Sequence, residues 1–175
     1  MKKYLPFFIF ILFSTTVSAQ EVKNVVKINP LSAFYRIASV FYERALSEKT
    51  SVQLGIAFSA AKFEDTKYSG LALTPEYRFY LKKQAPRGVY LAPFVKYQRY
   101  TTSDNVDKGT YKSFGGGFML GHQWVYKSSF VLDLFIGPAY NAGTYTAEYG
   151  NGNPDFNAAI DGLGVRGGLA IGFGF

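Results

Sequence analysis

The chain has no cysteine among its 175 residues. That absence excludes a disulfide framework, a thiolate metal site and a lipid-modified cysteine anchor together. There is a single histidine, His122, so the pair of histidines that many metal sites use is missing. Beyond residue 19, no apolar run approaches the roughly 20 residues that a membrane-spanning helix needs. Blocks of one charge sign are lacking too. The 19 Lys and Arg are scattered through strand-like segments and turns, so the formal charge of +7 reads as solvated charge, and no nucleic-acid partner is expected.

What is present lies at the two ends and in a repeating alternation. Lys2 and Lys3 precede an apolar run over 5–13, and small residues lead to Val17-Ser18-Ala19. A basic start, a short apolar stretch and a small-x-small site read as a signal peptide over residues 1–19, cut after Ala19. Residues 20–175 are then one domain with a formal charge of +5, two lysines having left with the leader. At the far end, Leu169-Ala170-Ile171-Gly172-Phe173-Gly174-Phe175 alternates large apolar residues with Gly or Ala and stops on an aromatic. A period of two makes a strand with one apolar and one bare face. Such a segment fits the last strand of an outer-membrane barrel, read there by the barrel-assembly machinery.

Turn signals divide the chain into alternating segments near 24–34, 37–46, 50–60, 69–81, 88–101, 110–126, 129–144 and 162–175. Lipid offers no partners for open strand edges, so an integral protein without a spanning helix must be a closed barrel. Eight is even, and each segment reaches the roughly ten residues of a tilted spanning strand. The expected fold is all-β: an eight-stranded antiparallel up-and-down transmembrane β-barrel. Compact connections at 47–49, 82–87 and 127–128 alternate with longer polar ones at 61–68, 102–109 and 145–161. That asymmetry fits short periplasmic turns and exposed extracellular loops. Pro30, Pro75, Pro93 and Pro138 fall inside these strands, where each removes a ladder donor and predicts a bulge or bend. Gly115-Gly116-Gly117 lacks the Lys-Ser/Thr of a phosphate loop and reads as relief within a strand.

One face of each segment is apolar. Phe130, Leu132, Leu134 and Ile136 oppose Asp133, while Leu71, Leu73, Tyr77 and Phe79 oppose Thr74, Glu76 and Arg78. Threading the chain up and down collects Tyr42, Phe79, Trp124, Tyr126, Phe130, Phe173 and Phe175 at an inner rim. Phe34, Phe58, Tyr97, Phe114 and Tyr140 gather at an outer one. Two aromatic girdles are expected at the two headgroup levels.

The segments 24–31, 41–46, 74–80, 85–88 and 92–94, with Gly121-His122-Gln123-Trp124 and 133–138, resemble a family of short outer-membrane proteins of unknown function, widespread in Bacteroidota. The resemblance covers nearly the whole chain after the leader and implies a barrel similar to the OmpA and OmpX class. It brings no catalytic or ligand-binding residues.

The face opposite the apolar one carries Lys27, Glu43, Glu76, Arg78, Lys96, Asp133 and Arg166. An eight-stranded barrel is just wide enough for side chains to fill. Charges in that space must pair or meet a large desolvation cost, so a structural interior network is expected. A catalytic pair such as Glu43 and Glu76 is disfavoured, since neighbouring Arg and Lys hold both ionised. His122 is in phase with Phe118, Leu120 and Trp124, away from any acid that would orient a base. The expectation is a non-enzymatic, monomeric outer-membrane barrel with a structural or loop-mediated binding role, no metal and no cofactor, in contact with outer-membrane lipid and lipopolysaccharide. The alternatives are a lipid-modifying acyltransferase or deacylase of the same fold, a narrow pore, and a secreted barrel holding an apolar ligand. Loop binding would fall on 62–68, 103–108 or 145–161.

Overall fold

Alternation of large apolar with small or polar residues gives an extended chain two unlike faces, and pairing such chains in one register separates those faces across a wall. In a computed structural model, which describes residues 22–63, 66–82, 84–103, 107–127, 129–150 and 161–175, the segments form eight strands. They are β1 (Asn24–Ile28), β2 (Ile37–Ala45), β3 (Thr50–Phe63), β4 (Thr66–Tyr80), β5 (Gly88–Ser103), β6 (Lys108–Val125), β7 (Phe130–Tyr149) and β8 (Gly162–Gly174). Each strand pairs antiparallel with its neighbour in sequence, and β1 pairs with β8 to close the ring. The expected eight-stranded antiparallel all-β architecture is the observed one. The leader reading of 1–19 lies outside the described residues.

Ser47 Oγ meets Thr50 Oγ1 at 2.7 Å in the β2–β3 turn. Tyr126 N donates to Phe130 O at 2.9 Å across the β6–β7 turn. These compact turns lie at the end of the barrel that carries Asn24 and Gly174, here called the terminal end.

Three expectations require correction. The first strand does not run to 34. Asn29 Oδ1 accepts from Leu31 N at 3.0 Å and Ser32 N at 3.3 Å, and Pro30 opens a 3₁₀ helix, Pro30–Tyr35. The missing N–H of Pro30 is harmless at a first helical position, so the proline that argued for a bent strand starts a helix. The helix ends at Arg36, which is left-handed at φ 57°.

The other prolines produce no bulge. Leu73–Tyr97, Glu76–Phe94 and Phe79–Leu91 hold one register on both sides of Pro75 and Pro93. Pro138 pairs with Val165 in an unshifted ladder. Each of the three lies on a ladder whose register it leaves unchanged, while a register shift among the described residues falls between Lys108 and Gly109. Finally, the hairpin ends read as loop at 61–68 and 102–109, and the start of the segment 145–161, are ladder, while 151–160 lie outside the described residues. The β3–β4 pairing continues to Phe63 and Thr66, the β5–β6 pairing to Ser103 and Lys108, and β7 to Tyr149.

Inside, side chains stack in layers from the terminal end. Tyr80, Ala85 and Tyr90 form the lowest, with Phe41, Phe94 and Phe135 above, and charged residues lie between. Phe41 meets Phe135 edge-on at 6.3 Å between ring centroids. Glycines admit this filling, and at Gly137 the wall itself needs one. A Cβ there would strike the Phe118 carbonyl oxygen and come within 2.8 Å of Met119 Cα, both backbone atoms that cannot swing away. Gly164, by contrast, faces open space. Gly137→Val is therefore expected to cost about 1–3 kcal/mol or more through overpacking. Gly164→Val should stay within about 0.5 kcal/mol of the parent. Urea midpoints of the two variants measure the contrast, and equal midpoints would contradict it.

Candidate functional site: a charge cluster in the barrel lumen

The inward phase of every strand contributes to one cluster. Arg78, from β4, has no exposed surface. Its Nη1 lies 2.9 Å from Asp133 Oδ2 on β7 and 3.3 Å from Glu43 Oε2 on β2, and its Nη2 lies 2.9 Å from Glu76 Oε2. The guanidinium also sits 4.2 Å above the Tyr90 ring centroid. Lys27, from β1, uses all three ammonium donors: Glu43 Oε2 at 2.8 Å, Asp133 Oδ2 at 2.7 Å and Gln123 Oε1 at 2.5 Å.

The carboxylates are filled from the other side. Glu43 Oε1 accepts from Ser51 Oγ and Tyr80 Oη, each at 2.6 Å. Asp133 Oδ1 accepts from Tyr90 Oη at 2.8 Å, and Glu76 Oε2 accepts from Gln53 Nε2 at 2.8 Å. Arg166, from β8, reaches Glu76 Oε1 with Nη2 at 2.9 Å and lies over the Phe94 ring at 4.7 Å. Burying an ion costs several kcal/mol unless its donors and acceptors are met. Here Lys27, Arg78, Glu43 and Asp133 meet them with one another, with Glu76 and with the neutral Ser51, Tyr80, Tyr90 and Gln123.

Local structure makes the packing possible. Lys27 pairs in register with Gly172, and a Cβ on Gly172 would come within 2.7 Å of Lys27 Cγ. Tyr90 pairs with Gly121, where any Cβ would run into the Tyr90 ring. Bare positions on one strand thus make room for long side chains on the next.

Of the seven charges expected inside, Lys27, Glu43, Glu76, Arg78, Asp133 and Arg166 are joined by ion pairs. Lys96 shares their inward phase but forms no ion pair or hydrogen bond among the described residues. The residues passed over are neutral: Ser51, Gln53, Tyr80, Tyr90 and Gln123. Their signal was the same alternation phase, which charge alone does not pick out. The rim aromatics Tyr42, Phe79, Tyr126, Phe173 and Phe175 are all exposed on the outward phase at the terminal end. Trp124 stacks on His122 there, with ring centroids 4.1 Å apart and planes 6° from parallel. His122 is therefore on the opposite side of the wall from the carboxylates. Among the described residues, no three His, Cys, Asp or Glu side chains are grouped to hold a metal.

Each carboxylate of the cluster is held by at least one cation and one neutral donor. Arg78→Met removes the cation shared by three carboxylates. A loss of about 3–5 kcal/mol is expected, the usual cost of stranding buried partners, read as a lowered urea midpoint. A loss under 1 kcal/mol would mean that the cluster is not a cohesive unit.

A family model described as a protein of unknown function (DUF3575) matches residues 5–174. Neither a curated protein nor a solved structure matches the chain.

Proposed function

We propose, from the premise that the chain belongs to the DUF3575 family of proteins of unknown function, that it is an integral outer-membrane β-barrel of the OmpA and OmpX type with a structural or loop-mediated binding role. The observation that carries this reading is an inverted wall. Leu54, Leu71, Leu91, Phe118, Leu134 and Ile136 keep 42–61% of their surface exposed, while Lys27, Glu43, Arg78 and Asp133 behind the same wall keep 1% or less. Soluble monomers limit apolar patches to a few hundred Å². An apolar belt around a ring of strands is stable where the solvent is hydrocarbon, and the paired ring meets lipid's demand for satisfied backbone groups.

The aromatics at the terminal end and Phe58, Tyr97, Phe114 and Tyr140 toward the other, all on the outward phase, suit the two headgroup levels. The terminal end with its compact turns is then periplasmic. Arg99 and Lys112 are exposed register partners just beyond Tyr97 and Phe114. Two cations above an aromatic level suit the phosphates of lipopolysaccharide. The charge cluster is assigned a structural role, filling the lumen across its width and closing it to solutes. Residues 169–175, with Leu169, Ile171 and Phe173 outward, are the segment we assign to the assembly machinery. The protein acts as a monomer.

The full chain, expressed in a Gram-negative host, is expected in the outer-membrane fraction, soluble only with detergent and shifted in gel migration on boiling. A protein that stays soluble and monomeric without detergent would end this reading. A depth series gives a finer test. Leu134→Arg should cost about 2–4 kcal/mol at the bilayer midplane, and Phe173→Arg about 0–1 kcal/mol near the interface, compared by urea unfolding in lipid vesicles. Equal costs would contradict the lipid belt.

A further inference from the structure

Above the Phe41, Phe94 and Phe135 layer the lumen changes character. The seven charges expected inside comprise four cations and three carboxylates, and all three carboxylates are engaged by Lys27, Arg78 and Arg166, while Asp161, just before β8, accepts from Tyr111 Oη. Lys96, half-buried on β5, is left without an acidic partner among the described residues, and the charged group acting on it is Arg166, a second cation. Arg166 is itself only half used. Its Nη2 bonds Glu76, while its Nη1 is buried with no hydrogen-bond partner.

These two cations line one cavity of about 160 Å³, together with Asn29, Ser32, Thr74 and Tyr100. Water's share of liquid volume is about 30 Å³, so the space holds a few waters or one ion of phosphate size. Two like charges side by side in a partly desolvated space repel, and each buried donor left unmet carries its full desolvation cost. Lys and Arg are donors only. The complement is therefore an acceptor-only group with negative charge, and a guanidinium edge suits the geometry of an oxyanion better than that of a halide. The 3₁₀ helix and its cap bring Asn29 and Ser32 to the same cavity, and Asn29 Nδ2 lies against Gly168 on the lumen side, where a Cβ would come within 2.8 Å.

We infer that this upper lumen is a binding site for a small oxyanion, gripped between Lys96 and Arg166. Arg166 joins this site to the charge cluster below through Glu76, but the cluster's ion pairs do not include Lys96, and the site goes beyond the scaffold role assigned to the cluster. A phosphate group is the chemistry required, whether it arrives as free inorganic phosphate or on a lipid headgroup.

The test uses the full protein extracted in detergent, at constant ionic strength made up with chloride. Inorganic phosphate is titrated in one arm and a short-chain phosphatidic acid in the other. The readouts are the Arg166 Nε–Hε resonance and the urea midpoint, which a ligand of the folded state raises by mass action. In wild type, one arm or both should give a saturable shift of the resonance and a raised midpoint. Lys96→Met removes a cation that pairs with no acid, so its midpoint without ligand should equal or exceed that of the parent. Its apparent affinity should fall roughly tenfold, as expected for one lost charge-assisted contact. A response to inorganic phosphate identifies a free-ion site, and a response to phosphatidic acid alone identifies a headgroup site. No saturable shift of Arg166 in wild type overturns the proposal, as does an undiminished response in Lys96→Met. Should that variant fail to fold, the wild-type Arg166 titration decides alone. Membrane extraction and heat-shifted migration judge the barrel assignment separately, so failure of one is distinguishable from failure of the other.

Discussion

A buried charge must be paired, and Arg78 imposes that condition on the whole molecule. It points into a lumen with no exposure, and the groups that satisfy it come from β2, β4, β6 and β7. Their own remaining valences call in Lys27 from β1, Gln53 from β3, Tyr90 from β5 and Arg166 from β8. No strand can shift register by one residue without turning its contribution outward and stranding a neighbour. The cluster thus sets the phase of the ring, and with the polar phase committed inward, the apolar phase must face out.

The period of two was legible throughout. It located eight segments and assigned Glu76, Arg78 and Asp133 to one side and Leu71, Leu134 and Ile136 to the other. Local chemistry was harder to read where one residue serves two roles. Pro30 looks like a strand breaker, but Asn29 ahead of it supplies a cap, and the pair starts a helix instead. Pro75, Pro93 and Pro138 each remove a donor, yet the flanking pairs hold register, so the ladder tolerates the loss. Lys67, Lys108 and Glu148 made the hairpin ends look like loops. Paired extended backbone accepts charged side chains readily when they stand in water, as Lys108 and Glu148 do at 2.5 Å from each other.

The candidate site was half legible for a related reason. A charge at an inward position announces itself, because it must be compensated. Tyr80, Tyr90 and Gln123 compensate it without carrying charge, and a tyrosine in an aromatic-rich chain resembles ordinary filling until its hydroxyl is seen on Glu43 or Asp133. Lys96 shows the opposite limit. Its phase was correct, but alternation says nothing about height along the barrel, and the cavity that Lys96 lines holds no carboxylate among its lining residues.

The brevity of β1 has a mechanical consequence. The wall is a hoop, and β1 is its overlap joint: among the described residues four register pairs and the backbone bonds between Asn24 and Phe175 fasten it to β8, and five pairs to β2, against nine or more in the other ladders. Hoop strength is set by the shortest overlap, so circumferential load should part β1 from β8 before any other seam. Lys27 sits within that overlap and is bonded past β8 to Asp133 on β7, and across to Glu43 on β2. One side chain thus acts as a rivet through the joint, fastening the strands on either side of the weakest seam in the ring.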